Sequence, residues 1–593
     1  MDCKTTSEYK HLTILHRFTQ QPRLHKILLL CFSIVLALLI CQTIANVKDT
    51  NDTWILAGLT PVFLILTITY VAIVSFSDNL QSTSVLTAIY LSTLNLIPQL
   101  KYVFLYGFFD PLFHYQFIRD MTETGFVPST GGYAVQYGSA AGSHIFVSEL
   151  SVLLGLDPLL AYKLFLAINP CIIPLAIYVI YKKLDMPTGL AKIILLSSVM
   201  TCPILYEFTG FSAIFPLYFF FITLALSILC NQRNSRLIWV IVTIIGIRII
   251  ISHDVTTFFL LISLLSLFVL QLFRKPFQPS FASKRQFASF VMTFAVLGFA
   301  HFIISSDLNL VTLISLFKKL GESLLAGEPP SAITYYGGFY QLSILGKLSV
   351  LEVKMGGFIL SLFLSILAPV AIFRMKLQDG SLKRFYYALA VPATIALSIA
   401  ILSQFIRSNL VQRGQLYFTA FSPFLVGITI YWLIRPKFQR LRNVILAVIM
   451  FSLILVSLLQ FYPYQPLVPK ISSDHTDYYA MDLRAANTVY LRSMLYFLNM
   501  YDSRLKIATD DVTRGLMYAL SSSSIIALVT TENPLSTGIT AQLALVSFDE
   551  NARPFVSGKE AIQYIQDVNN ATMNRSLIYT NGKSGILLTT GGP

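Results

Sequence analysis

The chain has 593 residues, of which 55% are apolar and only 12% charged, with a mean hydropathy of +0.68. That balance excludes a soluble globular enzyme, a disordered chain and a collagen-like one, and leaves a polytopic membrane protein. The formal net charge of +14 would suit a nucleic-acid partner, but the placement of the basic residues gives it a different cause.

An apolar run of about 20 residues is long enough to cross a bilayer as a helix. About thirteen such runs follow one another, at 27–46, 55–76, 83–100, 160–181, 190–205, 213–230, 237–252, 255–273, 287–305, 356–373, 385–403, 416–434 and 443–461. The expected architecture is an all-α polytopic membrane domain over residues 1–461, followed by a C-terminal α/β soluble domain over 462–593. Two connections are long, 101–159 and 306–355. Loops of that size are usually functional or disordered. The first is rich in aromatic and apolar residues, which argues for short helices lying at the membrane surface.

Basic loops stay on the cytoplasmic side. With the N-terminus inside, the inner segments, counting Lys192 at a helix edge, hold 22 of the 43 basic residues. The outer loops before residue 462 hold nine. The excess charge is therefore a topology signal, and no nucleic-acid partner is expected. The three N-x-[ST] sites, at Asn51, Asn570 and Asn574, all fall outside, where glycan acceptors must lie. Trp54, Trp239 and Trp432 fall near span ends, as interfacial tryptophans do. The first apolar run reads as a retained anchor rather than a cleaved signal, because it is long and 26 residues precede it. The expected location is a cell membrane, with the N-terminus cytoplasmic and the C-terminal domain outside.

The tail opens on the proline-rich stretch from Tyr462 to Pro469 and is nearly balanced in charge. Residues 479–501 and 559–568 carry helical spacing. Ile525–Val529 and Gly585–Leu588 read as strands. All six cysteines lie before residue 231, so no disulfide framework holds the tail. No Cys/His zinc spacing is present.

Thirteen of the eighteen acidic residues before position 462 fall on the outer side of this topology. The candidate reactive surface is therefore outside, at the membrane boundary. Its richest segment runs from Tyr106 to Asp120. Asp110 and His114, four apart, share one face if the segment is a helix with Pro111 in its first turn. Asp110 then serves as a helix cap or as a catalytic base, with His114 beside it. His144 and Glu149 follow in the same loop. Arg248 lies within a span about one turn from its outer end, either facing a cavity or snorkelling to headgroups. Arg407 and Arg413 lie in a short outer loop, as phosphate ligands or as headgroup contacts. His253 and Asp254 open the following span. As a metal pair they are incomplete, and Asp254 is expected to cap the helix. No cofactor is established by the sequence, and a divalent metal ion remains open.

The order of these features is a span, Asp110 behind an aromatic run, Gly125–Tyr133, Gly142-Ser-His144 to Glu149, and Gly155-Leu-Asp-Pro leading to Tyr162-Lys163. That order resembles the first outer loop of GT-C class polytopic membrane glycosyltransferases, which use polyprenyl (or dolichyl) phosphate sugars. The likeness is clearest over 100–185 and is greatest to archaeal membrane proteins of this type. It implies Asp110 as general base and a late basic residue, Arg407 or Arg413, on the donor phosphate; Arg248, a candidate cation from its place within a span, is not part of that implication. It also implies as partners a polyprenyl-phosphate-linked sugar, membrane lipids, and a protein, glycan or lipid acceptor. The tail lacks the WWD-type motif of oligosaccharyltransferases, and Asp110 is followed by Pro111 rather than the Glu of protein O-mannosyltransferases. Transfer of a single sugar is therefore favoured over block transfer. Two other classes compete. A transporter or lipid-linked sugar flippase should show paired halves and broken midplane helices. A non-catalytic envelope scaffold would not need the long aromatic loop.

Overall fold

The computed structural model describes residues 22–45, 60–77, 79–101, 110–127, 141–201, 217–225, 235–272, 284–305, 314, 318, 322, 357–374, 380–402 and 410–434, and five strands between 506 and 588. The helices are α1 (Pro22–Ala45), α2 (Thr60–Phe76), α3 (Leu80–Lys101), α4 (Asp110–Thr124), α5 (Gly142–Leu154) and α6 (Pro158–Ile168). They continue as α7 (Ile172–Lys183), α8 (Thr188–Thr201), α9 (217–225), α10 (Ser235–Ile250), α11 (Asp254–Leu272) and α12 (Lys284–Ser305). The last are α13 (Gly357–Ile366), α14 (Ala368–Arg374), α15 (Gly380–Leu402) and α16 (Leu410–Leu433).

Most of the apolar runs thus fold as helices. Among the described residues four stretches are long and apolar enough to cross a bilayer: Lys26–Thr43, Pro158–Lys183, Asp254–Gln271 and Arg285–Ile303. Six shorter apolar helices accompany them. The run expected at 160–181 is broken once, by a 3₁₀ turn at Asn169–Cys171 between α6 and α7. Pro170, which lacks an N–H, lies in that turn. The run at 443–461 lies outside the described residues.

The helices pack through aromatic and small residues. Tyr70 of α2 and Tyr90 of α3 stack at 4.3 Å. Their hydroxyls reach Thr87 and Thr67 at 3.1 and 2.8 Å, so polar atoms in an apolar bundle are paired across helices. On α16, a Cβ at Gly427 would lie 2.5 Å from an Ile194 side-chain carbon of α8; glycine there lets the two helices close. The outward faces carry apolar side chains, among them Ile27, Leu30, Ile34 and Leu38 of α1 and Val296, Phe299 and Ile303 of α12. In water such a surface would be costly, whereas lipid covers it without penalty.

In the tail the strands are β1 (Lys506–Thr509), β2 (Ala527–Thr530), β3 (Leu543–Ser547), β4 (Leu577–Thr580) and β5 (Ser584–Leu588). They form one mixed sheet in the order β2-β1-β3-β5-β4. β1 runs parallel to β2 and β3, while β5 is antiparallel to β3 and β4. Parallel neighbours need crossover connections, which suits a tail richer than a simple meander. The strands expected at Ile525–Val529 and Gly585–Leu588 correspond to β2 and β5. The helices expected at 479–501 and 559–568 lie outside the described residues.

Candidate functional site

The first long loop contributes α4 and α5. Helix α4 begins at Asp110 with Pro111 in its first turn, where a missing N–H costs nothing. Asp110 and His114 therefore lie one turn apart on one face. The Asp110 side chain itself is outside the described residues. Gly125, with φ +74°, follows the end of α4. Gly155, with φ +60°, closes α5 in the left-handed conformation that glycine adopts at little cost. Two residues later Asp157 caps α6, its Oδ1 accepting from the N–H groups of Leu159 (2.8 Å) and Leu160 (3.4 Å).

Helix α5 is amphipathic in the reverse sense. Its buried residues are Gly142, Ser143, His144, Val147, Ser148 and Ser151. Its exposed side shows Phe146, Val152, Leu153 and Leu154. The polar stripe meets protein and the apolar stripe faces out, as expected of a helix at a lipid boundary.

Two polar contacts fasten α4 to α5. His114 Nδ1 and His144 Nε2 lie 2.8 Å apart, and both rings are buried at 2% exposure. In that bond one ring donates and the other accepts. Phe117 meets the His144 ring edge-on at 4.9 Å. One turn further along α5 and two turns along α4, the hydroxyls of Ser148 and Thr122 lie 3.0 Å apart. Also on α4, buried Arg119 donates to Asp120 Oδ1 from Nη2 (3.0 Å) and Nε (3.3 Å), with Glu123 Oε1 3.8 Å from Nε. Burial pushes the Asp120 carboxyl above the usual carboxylate range, against the opposing pull of Arg119.

The start of α5 docks on the turn between α10 and α11. Gly142 N–H donates to the Ile251 carbonyl at 2.8 Å. A Cβ at Gly142 would stand 2.6 Å from that oxygen and 2.6 Å from Arg248 Nη1. Only a glycine fits between α5 and α10 here, so the Arg248 guanidinium rests against the first turn of α5. The Glu149 carboxylate, itself exposed, acts on Arg248 electrostatically.

Beyond this turn, the expectation that Asp254 caps α11 needs correcting. His253 occupies the cap position, and its Nδ1 accepts from the Thr256 N–H at 3.1 Å. A backbone N–H can only donate, so this His253 is the tautomer protonated on Nε2. The Thr256 hydroxyl lies 2.9 Å from the same nitrogen and 3.1 Å from the Tyr417 hydroxyl of α16. Asp254 is the first helical residue, and its Oδ1 accepts from His301 Nε2 of α12 at 3.2 Å. An imidazole Nδ1 competing for the helix N–H groups frees the carboxylate for a partner on another helix.

The structure therefore brings His114 and His144 into contact and sets Gly142 of α5 against Arg248 and Ile251, at the turn that leads into His253 and Asp254, while Glu149 acts on Arg248 through its charge alone. Arg407 lies outside the described residues. Arg413 is on the first turn of α16, with its side chain likewise outside them. Among the described residues no group of three or more His, Cys, Asp or Glu is placed to hold a metal ion. Gly142 and Tyr417 take part in the assembly without having been singled out as site residues, whereas His301 belongs to the histidines expected at the outer edge. A Gly-Ser-His start to an apolar helix was the one local sign available for Gly142.

No family model and no curated protein matches the chain. Among solved structures, the chain is similar to the crystal structure of ArnT from Cupriavidus metallidurans bound to undecaprenyl phosphate. The match has 12% identity and a TM-score of 0.47, and covers 87% of this chain and 98% of that one.

Proposed function

We propose that this chain is a multi-pass membrane glycosyltransferase that moves a sugar from a polyprenyl-phosphate donor to an acceptor at the outer face. In this proposal about thirteen helices span the membrane, the N-terminus is cytoplasmic and residues 462–593 form an outer α/β domain. Asp110 is the general base, His114 sits one turn behind it, and Arg248, Arg407 and Arg413 bind the donor phosphate. His144 holds α4 in place through His114. Glu149, His253 and Asp254 belong to the same polar edge.

The observation that supports this most is the docking of the first long loop. Its helix α4, headed by Asp110, is bonded through buried histidines to α5, and the start of α5 lies against the Arg248 guanidinium. A carboxylate and a cation are thereby carried by neighbouring elements at one end of the bundle. The chemistry needs that pairing. A carboxylate takes the proton from the acceptor hydroxyl as the sugar is displaced, and the departing phosphate gains charge that a cation must meet. A donor already attached to lipid needs no nucleotide-binding fold, and the sequence has no Walker loop.

The test is transfer from a panel of labelled polyprenyl-phosphate sugars, with purified protein and a membrane extract as the source of acceptor. Label should move into an acceptor for at least one donor. Label that stays on the lipid but changes sides of a sealed vesicle would instead identify a flippase. A divalent metal ion is tested in the same assay, by adding chelator.

A further inference from the structure

The contact between α11 and α12 holds a titratable pair to which the proposed transfer gives no role. His301 Nε2 lies 3.2 Å from Asp254 Oδ1, and the Asp254 side chain is only 6% exposed. Asp254 is the first residue of α11, so its carboxylate stands at the positive end of that helix. A carboxylate only accepts hydrogen bonds, which fixes one imidazole proton on Nε2. The nitrogen that can exchange a proton is then Nδ1, which makes no hydrogen bond among the described residues. The ring is 13% exposed, so it is shielded yet within reach of a ligand.

The pair is held firmly where it stands. Phe302, next to His301, meets Phe258 edge-on at 6.3 Å. Gly298 of α12 faces the Thr257 methyl of α11 across 3.7 Å, measured from the position a Cβ would take. The start of α11 is continuous with the turn whose Ile251 carbonyl receives Gly142. His301 is thus at the same end of the bundle as Arg248 and the first turn of α5. Among the described residues, the titratable and charged groups at this end of the elements packed on α12 are Asp254 and His253 of the α11 start and Arg248 of α10. His253 cannot serve as a base through Nδ1, since that nitrogen already accepts from Thr256.

We infer that His301 is a second catalytic group, handing a proton from Nδ1 to the departing lipid phosphate while Asp254 positions its ring. This rests on the sugar-transfer proposal. As the acceptor oxygen forms its bond to the anomeric carbon, the bond from that carbon to the phosphate oxygen breaks and its electron pair goes to that oxygen. The acceptor proton goes to Asp110. The His301 Nδ1 proton goes to the phosphate, which leaves as a singly charged monoester. Asp110 is left protonated and His301 neutral, and exchange with water resets both.

The full chain in lipid nanodiscs is assayed with a labelled polyprenyl-phosphate sugar that the wild type accepts. His301→Gln should lower kcat about 100-fold, leave KM nearly unchanged, and remove the fall in kcat at high pH. Asp254→Asn keeps a hydrogen-bond acceptor but loses the charge that favours imidazolium. Its fall in kcat should therefore move to lower pH. A structural role would lower the amount of folded protein without moving that limb. Should His301→Gln not fold, the Asp254→Asn profile decides, and an unmoved limb overturns the inference. So does a His301→Gln enzyme with wild-type kcat and pH profile. A wild type that transfers from no donor would instead defeat the sugar-transfer proposal and this inference with it.

Discussion

Single residues decide how the first loop is held. The His114–His144 bond joins two rings that are almost fully buried, and truncating one leaves the other without that bond. His144→Leu should weaken the docking of α4 on α5 by about 1–3 kcal/mol, seen as faster amide exchange over 110–124 and 142–154 with the spans unchanged. Gly142→Ala places a methyl 2.6 Å from a backbone oxygen, which unlike a flexible side chain cannot swing aside. The expected cost is about 1–3 kcal/mol, measured as a lower melting temperature and faster exchange at the start of α5. Asp120 gives a pH signature. Its carboxyl titrates above the usual range because it is buried, so the folded state binds the proton more tightly than the unfolded one. Its neutral form favours folding below the unfolded pKa, and that favour fades as pH rises through the folded one. Asp120→Asn, which stays neutral, should make α4 more protected from exchange than the wild type near pH 7. The difference should vanish toward pH 3. The pairings themselves were hidden in the sequence. His114 and His144 are 30 residues apart, and nothing local tells that they meet.

Elements were legible in proportion to their length. Runs of 20 apolar residues have few alternatives to a helix, and most of the spans expected before residue 440 coincide with described helices to within a few residues. Strands β1, β3 and β4 are not legible in the sequence, because four or five residues are too few for alternation to register, whereas β2 and β5 lie in continuous apolar runs. The cap of α11 was misassigned because Asp is the commoner capping residue, and only the three-dimensional position of His301 explains why the carboxylate turns away. Helix α5 shows what patterning can carry. A helix with serines and a histidine inside and Phe146, Leu153 and Leu154 outside makes sense only against lipid. A nitroxide or bromine-bearing lipid should therefore quench a fluorophore placed at Leu153→Cys, whereas a probe at Glu149→Cys should be quenched less. Equal weak quenching at both positions would place α5 away from the bilayer.

For the molecule as a whole, composition alone pointed to a membrane protein, and the charge distribution suggested which way it faces. What the sequence could not contain was convergence. The long aromatic loop at 101–159 matters because the start of α5 returns to the α10–α11 turn, and α4, headed by Asp110, is bonded to α5. Contacts between residues more than 100 positions apart set that arrangement. The proposed transfer stands on Asp110 taking the acceptor proton. The measurement that tests this most directly is sugar transfer by the wild type and Asp110→Asn side by side, with folding checked by melting temperature. The mutant should stay folded and its rate should fall at least about 100-fold. A folded mutant with wild-type rate would contradict it and move the base elsewhere along this edge.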